Sequence, residues 1–432
     1  MSDPTRIRDV RMRGFQERVD VACVLKMLDD RLQPLPHESI ALHEAAGRVL
    51  AEDIISEIDI PPFNRAAMDG YALKGEETFG AGTYNPLEFA IVGEAYPGRA
   101  CDVEVAPGQA VRIMTGAPMP KGADAVVPAE LAEERQGKVA VVEAVPPGKH
   151  VGHIGEDIAC GDVVLPAYRV LRPQDVAILA AIGAAPVRVI RRPVVNILVT
   201  GDELLPCGSK PTNHHIVDSN SVMLEALVRR DGGIPEKAPI IPDRVEAIRE
   251  AIALTAGDVV LISGGSSVGK EDHAPRIIAK MGELAVHGVA MRPASPAGLG
   301  FLDRRPVFLL PGNPVSCLSA YDLFAGRAIR ILGGRDRNLP YVAVTLPLAR
   351  KIVSAVGRLD YVRVRISQGQ VEPLATSGAS ILSSTTKADG FVLVPRDSEG
   401  KAEGDEVRVF LYDQPYAWSF KASGSPSENA ML

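Results

Sequence analysis

Residues 258–272 read DVVLISGGSSVGKED. The run Asp258–Ser263 is apolar without alternation, the texture of a strand buried on both faces. A Gly-rich loop follows, and helical spacing begins near residue 273. Strand, loop and helix in that order form the unit of a parallel α/β sheet. From Gly264 the loop also reads G-x-x-x-x-G-K, the start of a P-loop, but Glu271 stands where that loop needs Ser or Thr beside Mg²⁺ and the phosphates. Asp272 has the composition of a helix N-cap, which would start the helix later than a P-loop helix starts. The stretch therefore reads as a Gly-rich phosphate loop of another class.

Working outward, VVNILV (194–199), AVHGVAM (285–291) and PVFLLP (306–311) repeat the continuous apolar texture. Helical patterns at 220–230, 244–255, 273–281 and 314–332 separate them, so residues 187–336 are expected to form an α/β domain with a mostly parallel sheet covered by helices. Residues 54–149 change to short Val-rich runs between Gly and Pro turns, a small β module. Val21, Leu25, Leu28 and Leu32 lie at helical spacing, and Pro173 opens another helix with Gly183 at its end. Packing of these two helices on each other would make 20–53 and 150–186 one discontinuous domain with the β module inserted in it. Period-two runs return over 340–413 as a fourth, β domain, leaving 1–19 and 414–432 as tails.

A chain of 432 residues exceeds one hydrophobic core, which agrees with several domains. Its net charge of −7 argues against a general nucleic-acid partner, since backbone binding needs clustered Lys and Arg. No apolar run reaches the length of a membrane span. The five cysteines show no CxxC pair, so neither a disulfide framework nor a zinc site is expected, and a reducing cytoplasm fits.

Ligands of open α/β sheets bind beyond the carboxyl ends of the strands. Three loops leave such ends: Thr200-Gly201-Asp202-Glu203; Ser263-Gly264-Gly265-Ser266-Ser267 with Gly269; and Pro311-Gly312-Asn313-Pro314. Glycines permit close backbone approach, serines donate, and helix starts favour anions, so a phosphate-bearing ligand is expected. Asp202, Glu203, Asp243, Glu271 and Asp272 crowd the same edge and would repel a phosphate unless a hard cation such as Mg²⁺ lay between. Asp243 and Asp272 read equally well as helix N-caps. In the β module, Met68-Asp69-Gly70 reads by itself as a structural turn.

Together, PPFNRAAMDGYA, RIMTGAPMPKGADAVV, GEDIACGD, LVTGDEL, IVDSNSVML, ISGGSSVGKED, LLPGNPVS and ILSSTTKADGFVLVP resemble the molybdopterin molybdenumtransferase family, which includes the C-terminal domain of gephyrin. The match runs over nearly the whole chain. It implies a fold class of multidomain α/β and β type: a central α/β domain of the molybdopterin-binding kind, an inserted small β module, a helical and mixed linker domain and a C-terminal β-barrel-like domain. It implies a cytoplasmic homodimer, with the α/β domain of one subunit facing the β insertion of the other. It also implies Mg²⁺-dependent insertion of molybdate into adenylylated molybdopterin with release of AMP, the last step of molybdenum cofactor synthesis. Partners implied are the molybdopterin adenylyltransferase and recipient molybdoenzymes.

By motif, the resemblance makes Asp69, Thr115, Glu203, Asp243 and Asp272 catalytic, with Glu203 and Asp272 as metal ligands. Thr200, Gly201, Asp202, Asp218, Ser219, Asn220, Arg292 and Ser295 join the two Gly-containing loops as substrate-binding residues. The chain departs from the family in one loop, where Arg292-Pro293-Ala294-Ser295-Pro296 replaces Lys-Pro-Gly-Lys-Pro, so a cation is missing at Ser295 and a glycine at Ala294. Ser266 replaces the usual Val of the Gly-rich loop. Arg65 is a candidate to supply the missing charge. The alternative reading is a non-catalytic or altered-specificity paralogue that carries molybdopterin or uses tungstate. A gephyrin-like scaffold has little sequence left in the tails to support it.

Overall fold

The computed structural model describes residues 18–99, 102–265, 273–375 and 378–413. They divide into two compact units, residues 18–38 with Gly47–Val49 and 189–413, and Ser39–Ala46 with Leu50–Arg188. No helix among the described residues is long and apolar enough to cross a membrane.

The first unit is built on six strands: β1 (Val194–Val199), β2 (Ile234–Lys237), β3 (Val259–Ser263), β4 (Glu283–His287), β5 (Gly298–Leu302) and β6 (Arg305–Leu310). Their order in the sheet is β2-β1-β3-β6-β5-β4. β1 pairs in parallel with β2 and β3, and β3 with β6, while β5 runs antiparallel to both β6 and β4. Successive side chains of a strand point to opposite faces, and both faces here are covered. Val195, Ile197 and Val199 enter one core with Val259, Leu261, Phe308 and Leu310. Leu198, Val260, Ile262, Val307 and Leu309 enter the other. That double burial explains the unbroken apolar runs, each fully buried side chain contributing roughly 1.5–3 kcal/mol.

The helices are α1 (Val21–Arg31), α2 (Asn220–Arg230), α3 (Val245–Ala253), α4 (Ala274–Met281), α5 (Pro314–Ala320) and α6 (Gly326–Leu332), the last two joined by a π-helical turn at Tyr321–Ala325. Helix α1 corrects one expectation: its Val21, Val24 and Leu28 are buried in the first sheet core with Val195, Leu224 and Phe324. It belongs to the first unit, whereas the helix Pro173–Ala181 belongs to the second. Its apolar stripe required a partner, but sequence spacing does not say which. The Asp20 carboxylate caps the helix through Ala22 N–H at 2.8 Å, and Arg327 grips Asp29 at 2.6 and 2.8 Å.

The same unit carries the C-terminal strands Ala343–Pro347, Leu359–Ser367, Gln370–Ala375, Gly390–Val394 and Glu406–Leu411. They pair antiparallel, and a bridge from Leu348 to Val371 links the first strand's end to the third. Val362, Val364, Val392, Val394, Val407 and Val409 form their core.

The second unit contains a six-stranded sheet with Gly70–Leu73 next to Gln109–Ile113 and Ala125–Pro128. A side chain at Gly70 would place its Cβ 1.9 Å from Val127 O, so that position admits only glycine. In the same unit Gly183, with φ +73°, ends the helix Pro173–Ala181 as the pattern indicates.

Candidate functional site

The parallel strands β1, β3 and β6 end side by side at Val199, Ser263 and Leu310, so the loops that follow share one edge. Thr200 N–H still donates to Ser263 O at 3.0 Å, and the chain then turns away. Gly264 and Gly265 have φ of +96° and +57°. A Cβ on Gly264 would fall 2.4 Å from Thr200 O and 3.0 Å from Thr200 Oγ1. A Cβ on Gly312 would lie 3.7 Å from Gly264 Cα, which brings the third loop against the second. Glycine is therefore required at 264 for the first two backbones to meet, whereas a Cβ at 312 would make only ordinary contact.

Helix α2 locks this arrangement. The Asn220 side-chain amide donates to Ser263 Oγ at 2.9 Å and to Gly312 O at 2.8 Å, while Asn220 Oδ1 is buried without a partner. Asp218 Oδ1 accepts from Ser221 N–H at 3.0 Å, so one of its oxygens is committed to the start of the helix. Ser219 is the N-cap residue but makes no side-chain cap bond. Ser221, which no motif argument singled out, is fully buried and its Oγ lacks a partner. Its place as the second residue of a helix leaving a site loop is the signal that would have found it.

Gly201 N–H donates to Ile241 O at 3.2 Å, drawing the segment that carries Asp243 beside the first loop. Asp243 is not a helix cap: the N-cap of α3 is Arg244. Asp243 N–H donates to Asp202 Oδ1 at 3.2 Å, while Asp243 Oδ1 is buried and unpartnered. Burial raises the Asp243 pKa above the ordinary carboxylate value; a hydrogen bond with the Thr200 hydroxyl opposes the rise, and the charges of Glu203 and Asp202 add to it. Thr200 Oγ1 is a second buried oxygen, and it faces Asp243, to whose carboxylate it can donate. Glu203 and Asp202 are exposed.

Such oxygens are hard donors, which suits Mg²⁺, an ion commonly held by one or two carboxylates plus substrate phosphates and water. Among the described residues no three His, Cys, Asp or Glu side chains cluster as a ready metal cage. Asp272, Ser266, Ser267, Gly269 and Glu271 lie outside the described residues. Helix α4 nevertheless begins at Ala274 with His273 as its N-cap, later than a P-loop helix would start.

The loop 291–297 reaches the same sheet edge, because Gly298 pairs with Leu309. Its first charge is already engaged: Arg292 forms an ion pair with Asp360, a buried carboxylate that also accepts from Arg358 and Ser354. Ala294 has φ +79°, the left-handed conformation glycine adopts freely. Ser295 Oγ is buried without a partner. Pro311 is buried, and Asn313 and Gly312 are exposed at the start of α5.

In the second unit Asp69 and Thr115 meet directly. Thr115 donates to one Asp69 oxygen from both its N–H, at 2.6 Å, and its hydroxyl, at 2.7 Å. These two bonds hold the Asp69 pKa below the ordinary carboxylate value, the backbone one more strongly. Arg65 of that unit is exposed and lies 3.7 Å from Glu156.

A mostly parallel sheet whose loops gather glycine turns, unpartnered buried oxygens and carboxylates at one edge defines an α/β protein with a candidate ligand site there, here extended by β domains. Three family models match: the MoeA N-terminal region (domains I and II) over 19–183, a probable molybdopterin binding domain over 196–330, and the MoeA C-terminal region (domain IV) over 345–412. The chain belongs to the MoeA family, the molybdopterin molybdenumtransferases. It is 36% identical over 384 residues to a putative molybdopterin biosynthesis protein of Methanocaldococcus jannaschii, covering 87% of this chain and 92% of that one. It is 32% identical over 395 residues to the molybdopterin molybdenumtransferase of Haemophilus influenzae, with coverages of 89% and 96%. The crystal structure of the molybdopterin biosynthesis moeA protein from Pyrococcus horikoshii is similar with a TM-score of 0.78 and 36% identity, covering 92% of this chain and 100% of that one.

Proposed function

We propose that this chain is a transferase of molybdenum cofactor synthesis that inserts molybdate into adenylylated molybdopterin with release of AMP. The observation that supports it best is the pair of buried, unpartnered oxygens, Asn220 Oδ1 and Ser295 Oγ, at an edge where Gly264 and Gly265 turn beside Thr200. Buried polar atoms without partners are rare and mark places where a ligand supplies the missing bond.

In this reading the Gly264, Gly265 and Gly312 backbone and the Ser263 hydroxyl shape the phosphate position. Glu203 and Asp272 would hold Mg²⁺ if it binds here, beside the partly buried Asp243 carboxylate. When bound, the ion draws charge from the phosphate as the pyrophosphate bond breaks. Asp218, Ser219 and Asn220 order the pterin side of the crevice. The Asp69 and Thr115 pair acts from a second subunit of a homodimer, and Ser295 offers the oxyanion a hydroxyl in place of a cation. The product would pass to molybdoenzymes in the cytoplasm, and the substrate would come from a molybdopterin adenylyltransferase.

The test is to combine the purified protein with adenylylated molybdopterin, Mg²⁺ and molybdate, following AMP release and activation of an apo-molybdoenzyme. Both should rise with molybdate. Pterin binding without either would favour the second reading, a carrier of molybdopterin, for which the engagement of Arg292 by Asp360 is the supporting observation. Substituting Ser295→Lys separates them further: a large gain in transfer marks a weakened oxyanion site, and no gain an intact one.

A further inference from the structure

We propose that the groove between α3 and α4 is a second anion site, taking a small phosphate ester with an apolar moiety. The groove encloses ≈ 330 Å³, within the range of small-molecule sites. Arg249 of α3 and Arg276 and Lys280 of α4 line it. Among the described residues none of these three forms an ion pair, and the one carboxylate lining the groove is Glu246. Arg276 and Lys280 stand four apart on one helix face, a spacing at which like charges repel. Among the described residues, a protein of net charge −7 thus gathers three cations against one carboxylate in one concavity.

The floor is apolar, formed by Val245, Ile277 and Met281. Both helices pack on the same face of the sheet, through Ile248 and Ile252 from α3 and Ile277 and Ile278 from α4. They run back from the carboxyl edge, so their amino ends lie together at the Val245 and His273 end of the groove. Neither N-cap side chain, Arg244 or His273, bonds its helix's first turn, which adds two positive helix ends to the three cations. The phosphate would sit among Arg249, Arg276 and the helix ends, and the apolar moiety over Ile277 and Met281. A concavity of ≈ 330 Å³ fits a small molecule. Neither Asp243 nor Thr200 lines the groove, although its Val245 and His273 end adjoins in sequence the segments assigned to transfer, which is why the test includes Asp243→Asn.

The experiment is calorimetric titration with ADP, inorganic pyrophosphate and adenosine, on the full chain and on the double variant Arg276→Ala with Lys280→Ala. The proposal expects ADP and pyrophosphate to bind, adenosine to bind far more weakly, and the double variant to lose one class of site or weaken it by about tenfold. The charge-keeping pair Arg276→Lys with Lys280→Arg should restore it, and Asp243→Asn should leave it intact. Identical ADP and pyrophosphate titrations in parent and double variant would overturn the proposal. So would binding of an acidic peptide at these residues with no binding of ADP or pyrophosphate.

Discussion

Thr115 directs its backbone N–H and its hydroxyl to the same oxygen of Asp69, at 2.6 and 2.7 Å, across 46 residues of chain. A folded-state pKa held below the unfolded value contributes stability above the unfolded pKa, and that contribution is lost as pH falls through the folded one. Thr115→Val removes the hydroxyl bond and keeps the backbone bond. The Asp69 pKa should rise part of the way to its ordinary value, read from the carboxyl carbon shift in an NMR titration. The acid limb of the transfer rate should move to higher pH with it.

Asp243 predicts the opposite sign. Its pKa is raised by burial and by Glu203 and Asp202, so the folded chain binds that proton more tightly than the unfolded chain. Stability is therefore lost as pH rises through the interval between the two pKa values. Asp243→Asn should raise the melting temperature of the metal-free protein at neutral pH by about 1–3 °C. It should at the same time lower transfer by roughly 100-fold and reduce any thermal stability that added Mg²⁺ gives the parent. A fall in metal-free melting temperature would show that Asp243 serves the fold instead.

The particular residues show how much of this was legible in advance. VVNILV marked β1 at its observed ends because both faces are buried. Strand β2, IPEK, escaped notice because an edge strand carries proline and charges in place of an apolar run. Strand β5, GLGFL, escaped it because two glycines dilute its pattern, although Gly300 has no room for a Cβ beside Ile278. Asp243 could be read as a cap or as a ligand, since composition does not separate the cap from the residue before it; the structure places Arg244 at the cap. The unpartnered oxygens of Asn220 and Ser221 depend on packing between distant segments and leave no trace in local pattern.

Ala294 carries a backbone conformation that disfavours its side chain. At φ +79° a Cβ costs about 1 kcal/mol, and Ala294 is 2% exposed, so its surroundings hold it there. Ala294→Gly should stabilise the protein by about 1 kcal/mol, less the extra chain entropy that glycine adds to the unfolded state. Chemical denaturation should show a higher midpoint with an unchanged slope.

The largest predicted loss of stability comes from a buried ion pair far from the site. Arg330 donates to Asp231 at 2.8 Å with both side chains almost fully buried, and Asp231 also holds Arg230, which bonds the buried Asp322 at 3.0 Å. Tyr341 donates to Asp322 from the segment leading into the C-terminal strands, so the network spans the α/β core and those strands. Removing one partner leaves a buried charge without compensation, which costs about 3–5 kcal/mol. Asp231→Ala should lower stability by that amount in urea denaturation. Asp30→Ala, which breaks the exposed Lys26–Asp30 pair on α1, should change it by less than about 0.5 kcal/mol. Equal effects from the two would mean that the arginines relax to solvent and that the network does not hold the C-terminal strands in place.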